Sequence, residues 1–557
     1  MRRTASVVTL ALALFVPASA FGQVVDLDEE RPAAPLDADP SAPDRAPPVP
    51  GEPTEEAVRA TRLFETGQWE QAALELGRVA AGKTGDDAGN RQIAQFHLAV
   101  ALYNLKLYVA SFGIFSEIAY EKTHLKFSEG LLWLARLASQ LPEPAGVIAV
   151  VGKYDFAMDA RFSNAEQLPL VWHLDYLLGR YHYGVGNYAA ALDRLDAVKP
   201  ASPFYALSKF YAGLSHVQLR QGKAALDSFE ATRTALGDDT ANTQVEGATL
   251  LDLANLNIAR THYTLAFRQR REGDWEVSTT HMEQALAHWD AIPLASPFSS
   301  DAFYERGRAH FVLGDFGAAL GDLASARSPL IAHQSSVDAD AFEVEIYGSL
   351  CDQPAVATLR ANLSETYQPL RDGLSAYLRD RPDEGEDELY RDLRLLTRAS
   401  STPMPGGLSR LQEDVRAELG RVLGSRGLTR ELDWIDLIDA EGERLAQQSE
   451  AFRSSDVGLD ALDALDLARQ IAVRRAGTRA RRRLSERIEE LDRAFRYADT
   501  VVKFTREPAA DPALFTVDRS SVTDDSGEIE RWPVDGEAWA DEVGSYRAVV
   551  VSKCPAR

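Results

Sequence analysis

Cysteine is almost absent from this chain. Two residues, Cys351 and Cys554, are all that 557 positions contain, beside four methionines. So few thiols exclude a cysteine-built metal cluster and a disulfide-dense small scaffold. In an oxidising compartment the pair could form one bridge, which a chain-entropy treatment values at roughly 4–5 kcal/mol. As two separate buried thiols they would carry nothing, and spacing alone leaves both readings open. Long apolar runs are equally scarce. Past the amino terminus no stretch approaches the ~18 apolar residues of a spanning helix. Positive charge is also short: 60 Lys and Arg stand against 84 Asp and Glu, a formal charge of -24. That balance argues against nucleic acid or an anionic membrane as the main partner and leaves protein surfaces as partners. There is no H-E-x-x-H, no close ligand set and no Ser-His-Asp or Cys-His spacing. No catalytic residue, metal or cofactor is therefore expected.

The amino terminus carries a processing signal. Arg2-Arg3 precede the apolar run Val7 to Val16, then Pro17 and Ala18-Ser19-Ala20. A charged start, a short apolar core and small residues at a cleavage site describe a secretory signal peptide over 1–22, cut after Ala20 or Gly22. An uncleaved anchor is the alternative, but the run is short for a span. Export in a bacterium would place the protein in the periplasm. Residues 23–54 are dense in Pro, Ala and Asp, and such a segment reads as a disordered linker.

Beyond it a helical repeat takes over, clearest in Phe303 to Pro329. Phe303, Gly307, His310 and Phe311 share one stripe, Gly314-Asp315 makes a turn, and Phe316, Ala319, Leu320, Leu323 and Ala326 form a second stripe. Small residues stand where two helices must touch. Related spacing recurs with Ala60, Gly67, Trp69 and Ala72; with Ala99, Leu102 and Tyr108; with Gly179, Gly186, Tyr188 and Ala191; and with Gly213, Ala225 and Phe229. The pair from Leu251 to Arg271 is about a turn too long, and Ala145 to Val151 is the weakest helix, being β-branched.

These positions resemble the tetratricopeptide repeat family. The resemblance implies an all-α, right-handed solenoid of seven to eight helix pairs over 55–370, whose first helices line a concave groove for a peptide or protein. Candidate groove residues are then Tyr176, Arg180, Lys209, Asn257, Arg260, Arg306 and Arg308. A scaffold or adaptor of the cell envelope follows; an enzyme decorated with repeats is the alternative.

From 371 to 507 the pattern becomes charged and helical. Ile438, Leu445, Phe452 and Leu459 fall seven apart, and Leu484, Ile488, Leu491, Phe495, Ala498 and Val502 alternate fours and threes. That is a coiled-coil seam. It predicts either a hairpin turning between Ser454 and Gly477 or an intermolecular coil that makes a homodimer. The basic run Arg469 to Arg487 reads as a solvated face neutralised by Asp460, Asp463 and Asp466, or as a dock for an acidic partner. The tail, 508–557, is irregular, with one β-prone run from Tyr546 to Val551 that needs a partner.

One motif points elsewhere. Gly77 to Thr84, GRVAAGKT, fits the phosphate-loop pattern letter for letter. That motif needs a preceding strand, and AALEL has no β-branched residue. Three histidines, His182, His216 and His310, share one repeat position, which favours packing over metal binding. His281 and His288 share a helix face with no carboxylate placed beside them.

Overall fold

The computed structural model describes residues 46–153, 167–237, 247–271, 274–331, 337–381, 386–398, 411–506 and 540–554. The signal segment, most of the linker, the loop from Ala399 to Gly407 and the tail up to Trp539 lie outside these residues.

Among the described residues, eight helix pairs follow one another. Their members are α1 (Glu55–Glu65) with α2 (Trp69–Ala80), α3 (Ala88–Asn104) with α4 (Tyr108–Tyr120), and α5 (Phe127–Leu137) with the short α6 (Val147–Gly152). Next come α7 (Leu168–Gly184) with α8 (Tyr188–Leu195), α9 (Tyr205–Gln218) with α10 (Gly222–Leu236), and α11 (Gly247–Ala266) with α12 (Thr279–Asp290). The last two are α13 (Ser299–Val312) with α14 (Phe316–Ala326), and α15 (Val337–Ser349) with α16 (Gln353–Arg379). Local chemistry ends and starts each helix. At the intra-pair turn one residue takes a left-handed backbone: Gly67, Gly186 and Gly314, but also Lys106, Arg220 and Cys351. The amide two residues past the last helical turn then reaches back to a carbonyl five positions earlier, as Asp315 does to His310. Asn187, Asp315 and Asp352 cap the helices that follow. Within pairs the close approach is literal: a Cβ on Gly213 would stand 2.5 Å from the Phe229 ring.

Several expectations need correcting. The overlong sixth pair is not an extended helix. After Ala266 the chain forms two antiparallel strands, β1 (Phe267–Arg271) and β2 (Asp274–Val277), with Phe267 opposite Val277. The helix α16 runs unbroken through position 370, so no boundary falls there. Residues 46–54 are not loose: Gly51 N donates to Asp87 at 2.7 Å and Thr54 Oγ1 to Asp86 at 2.7 Å.

Behind the pairs stand α17 (Glu386–Arg398), α18 (Glu413–Leu423), α19 (Arg426–Ala446), the single turn α20 (Glu450–Arg453) and α21 (Asp456–Arg506). α21 is 51 residues long, about 75 Å at the standard helical rise. α19 and α21 do form an intramolecular hairpin, but it turns at residues 447–455, which meet the expected region only at its first two positions. Ser449 caps α20 and the Ser455 hydroxyl accepts the Gly458 amide, while Gly477 sits buried inside the helix. The hairpin is no free appendage. Its seam residues Leu484, Leu491 and Ala498 pack with Val337, Leu363, Leu370 and Leu374 of the eighth pair. At the other end Val457 packs beside α2. α21 is thus a strut from the first pairs to the last.

The tail turns over 540–545, and from 546 to 554 it joins no strand among the described residues. Its amides find helix carbonyls instead: Ala548 N donates to Gly317 O at 3.0 Å and Lys553 N to Leu350 O at 2.8 Å. Cys351 and Cys554 are bonded in a disulfide across 203 positions. That resolves the two readings in favour of the bridge.

Candidate functional site

The seven groove candidates all make contacts within the chain. Arg180 lies buried on α7, 4.7 Å from the Tyr211 ring, and pairs with Glu143, which also takes Arg430 of α19 at 2.9 Å. Tyr176, one turn earlier, stacks on Phe204 at 5.1 Å and its hydroxyl accepts from Arg180 at 3.2 Å. Lys209 reaches Asp196 at 2.6 Å and overlies Tyr205. Arg260 grips Glu305 at 2.6 Å, and Trp289 Nε1 donates to the same carboxylate at 3.1 Å. Arg308 lies 5.3 Å from the Phe342 ring and donates to the Tyr304 hydroxyl at 3.2 Å. Asn257 is buried, its amide donating to Leu253 O at 2.8 Å, which is a packing role. Arg306 is buried between Asp322 and Asp290 and donates to Gly544 O at 2.6 Å. Tyr176, Arg180, Asn257 and Arg306 therefore cannot line an open groove. Sequence position identifies a first-helix face but not what already covers it.

A recurrence emerges that repeat spacing alone does not single out. Tyr176 with Arg180 and Tyr304 with Arg308 hold equivalent places, three before and one after Gly179 or Gly307. A tyrosine and a cation one turn apart form a flat, charged platform. Both platforms meet the hairpin: the first through Glu143 and Arg430, the second beside Glu345 and Tyr497. Burial pushes the Glu345 carboxyl up to about 7, although the Tyr497 hydroxyl and Arg308 oppose it. Lys209 with Tyr205 has the same spacing on α9, and the ion pair of Lys209 with Asp196 stays within the repeats.

The hairpin's other clamp is also a buried carboxylate. Leu107 precedes α4 and cannot cap it, so Glu441 of α19 accepts the amides of Val109 at 3.0 Å and Ala110 at 3.3 Å. Burial outweighs those bonds and pushes Glu441 up to about 7. One turn on, Arg444 donates to Lys106 O at 3.2 Å.

The phosphate-loop lookalike belongs to the same joint. Gly77 lies inside α2, where a Cβ would stand 2.3 Å from Val457, and Lys83 pairs with Asp456. Its glycine and lysine receive the start of α21, and the residues before them are helical rather than a strand. The basic run is likewise used within the fold. Arg475 and Arg479 pair with Glu431 at 2.8 and 3.2 Å, and Arg487 pairs with Glu418 at 2.7 Å, in place of the acids expected from sequence.

His216 and His310 bond Gln221 and Asp322, each at 2.7 Å, within their own pairs. His281, with His288 on its face, meets His262 of α11 at 2.9 Å between ring nitrogens. Among the described residues no group of three His, Cys, Asp or Glu side chains is arranged to hold a metal. A pocket lined by His182, Ala190, Asp193 and Arg194 has a volume near 170 Å³, below the usual range of small-molecule sites.

Stacked helix pairs with small contact residues define an all-α solenoid, an architecture that presents extended surfaces. The chain carries tetratricopeptide repeats: residues 263–329 match the family model of that description. None of the curated proteins matches. A solved structure of a Rap protein complexed with competence and sporulation factor shares 14% identity, covering 75% of this chain and 97% of that one, at a TM-score of 0.26. No helix among the described residues is long and apolar enough to cross a membrane.

Proposed function

We propose that this protein is an exported scaffold that holds another protein or a peptide on the first-helix face of its repeats, in assembly, secretion or motility at the cell envelope. The observation that carries the reading is the repeated tyrosine-cation platform. Two copies are engaged by the chain's own hairpin, which supports this face as a seat for helices, and the Tyr205-Lys209 pair, five residues ahead of the equivalent places on α9 and so on another side of that helix, offers the same chemistry partly exposed. Aromatic and cationic side chains together are the usual anchors of protein recognition. Export is supported by the amino-terminal pattern and fits the disulfide, which persists where thiols are oxidised.

The test pairs two measurements. Fractionation of cells producing the tagged chain should recover it outside the cytoplasm with Cys351 and Cys554 oxidised. In-cell crosslinking should then yield a defined partner whose recovery falls in Tyr205→Ala/Lys209→Glu. A partner set unchanged by that variant would sink the surface assignment; a cytoplasmic, reduced protein would sink export.

A further inference from the structure

Among the described residues, one face of α21 is uncovered. Its inward residues Ala461, Leu465, Ala472 and Ala476 are buried against the body. The helix exposes four large apolar residues: Leu459 by 50%, Leu462 by 45%, Leu467 by 60% and Ile471 by 53%. Asp460, Asp463, Leu467, Ile471 and Arg474 are spaced by threes and fours, so they fall on one face. All five are exposed. Leu459 flanks that face, while Leu462 is exposed on another side of the helix. The coiled-coil seam farther along the helix is spent on the eighth pair, so this face is a separate surface.

The charges on it are ordered. On the face itself Asp460 and Asp463 occupy the first part and Arg474 the second, while Asp456 is taken by Lys83 and Arg469 turns to Asp439 of α19. A parallel neighbour of the same kind would oppose acid to acid. An antiparallel neighbour would oppose acid to base. With Leu467 on the two-fold axis, Asp460 of each helix stands level with Arg474 of the other, Leu467 meets its own copy, and Ile471 stands level with Asp463. Self-complementarity about a two-fold axis is what an isologous interface requires. A foreign partner would have no reason to match this order at both ends.

We propose that two copies of this chain associate antiparallel through the outer face of α21, with Leu467 at the two-fold axis and Asp460 paired to Arg474 at each end. The interface is distinct from the first-helix face proposed for partners, so a dimer would present two such faces.

Sedimentation velocity of the full chain across a micromolar dilution series tests the idea. The wild type should move from one to two copies of a 61.2 kDa chain as concentration rises. Leu467→Glu/Ile471→Glu should remain a monomer; both positions are exposed, so the fold should survive, which circular dichroism checks. Asp460→Arg alone should weaken the dimer roughly tenfold or more, by setting Arg against Arg. Adding Arg474→Asp to the same chain should restore it. Leu467→Cys should crosslink to itself under mild oxidation. A wild type that stays monomeric overturns the proposal, as does a dimer indifferent to the two glutamates. Failure of the charge swap to rescue overturns the antiparallel arrangement, and a rescued dimer cannot be explained by misfolding.

Discussion

Two regions of this protein are held together by different means. Inside a helix pair the contacts are apolar and near in sequence: Gly213 against Phe229, Gly179 against Leu195, Gly307 against Ala319. Where later segments dock on the array, apolar packing such as Leu484 and Leu491 against Leu363 and Leu374 is joined by contacts that are charged, directional and remote. Lys83 pairs with Asp456, the Val109 amide with Glu441, and Arg306 with the Gly544 carbonyl. Apolar packing is indifferent to orientation, so it suits a module that is copied. Carboxylates at helix ends, backbone bonds and a disulfide fix register, so they suit a single strut and a single tail that must sit in one place.

The largest expected effect is at the joint with a covalent bond. Cys554→Ser opens the link across 203 positions, and the loss should be about 5 kcal/mol if loop closure dominates. Chemical denaturation of oxidised, reduced and variant protein measures it, and a loss below about 1 kcal/mol would mean the tail is held by its other bonds. Next comes the interior of a pair. Phe229 is fully buried, and Phe229→Ala should cost about 3–5 kcal/mol by cavity formation. Because the fifth pair packs on adjacent pairs rather than on the hairpin, the thermal transition should broaden as well as shift. A sharp, unshifted transition would contradict the proposed modular core.

This division explains what can be read in the sequence. Repeat spacing is local, so Gly307, Phe316 and Ala319 announce their pair unaided. The joints are not local: no spacing rule connects Val109 to Glu441 or Gly77 to Val457. GRVAAGKT therefore resembles a nucleotide motif when its glycine and lysine are the seat of a helix that starts at Asp456. Arg180 and Arg306 do lie on first helices, yet their partners, Glu143 and Gly544, come from a turn and a tail with no repeat signature. Cys351 gives no sign in sequence of occupying the turn position that is glycine in Gly314, because only the backbone angle reveals it.

Smaller effects should follow from pH at the two buried clamps. Glu345 and Glu441 are raised to about 7 by burial, while an unfolded carboxylate titrates near 4.5. Between those values the folded chain holds protons that the unfolded chain has released. Stability present below about pH 4.5 is therefore lost as pH rises toward 7, at up to about 1.4 kcal/mol per unit for each group. Glu441→Gln keeps an acceptor for Val109 and removes the charge. It should flatten its share of the slope and stabilise the protein by about 2 kcal/mol at a pH of about 7.5, read from denaturation curves between about pH 5 and 8. An unchanged slope would show that Glu441 is solvated in the folded protein.

The smallest effect isolates charge from geometry at the tail. Arg547 meets Asp315 at 2.7 Å, with both side chains well exposed, and a solvated pair of this kind contributes about 0–1 kcal/mol. Arg547→Ala should leave global stability almost untouched and weaken further dependence on salt. The neighbouring backbone is held differently: Ala548 N bonds Gly317 O, and a Cβ on Gly321 would stand 1.7 Å from Tyr546 O. Gly321→Ala should accordingly loosen the tail more than Arg547→Ala does, measured as hydrogen exchange of the Ala548 amide. If the arginine variant loosens it more, the tail is an electrostatic attachment, and the contrast between apolar repeats and geometrically fixed joints fails at this joint.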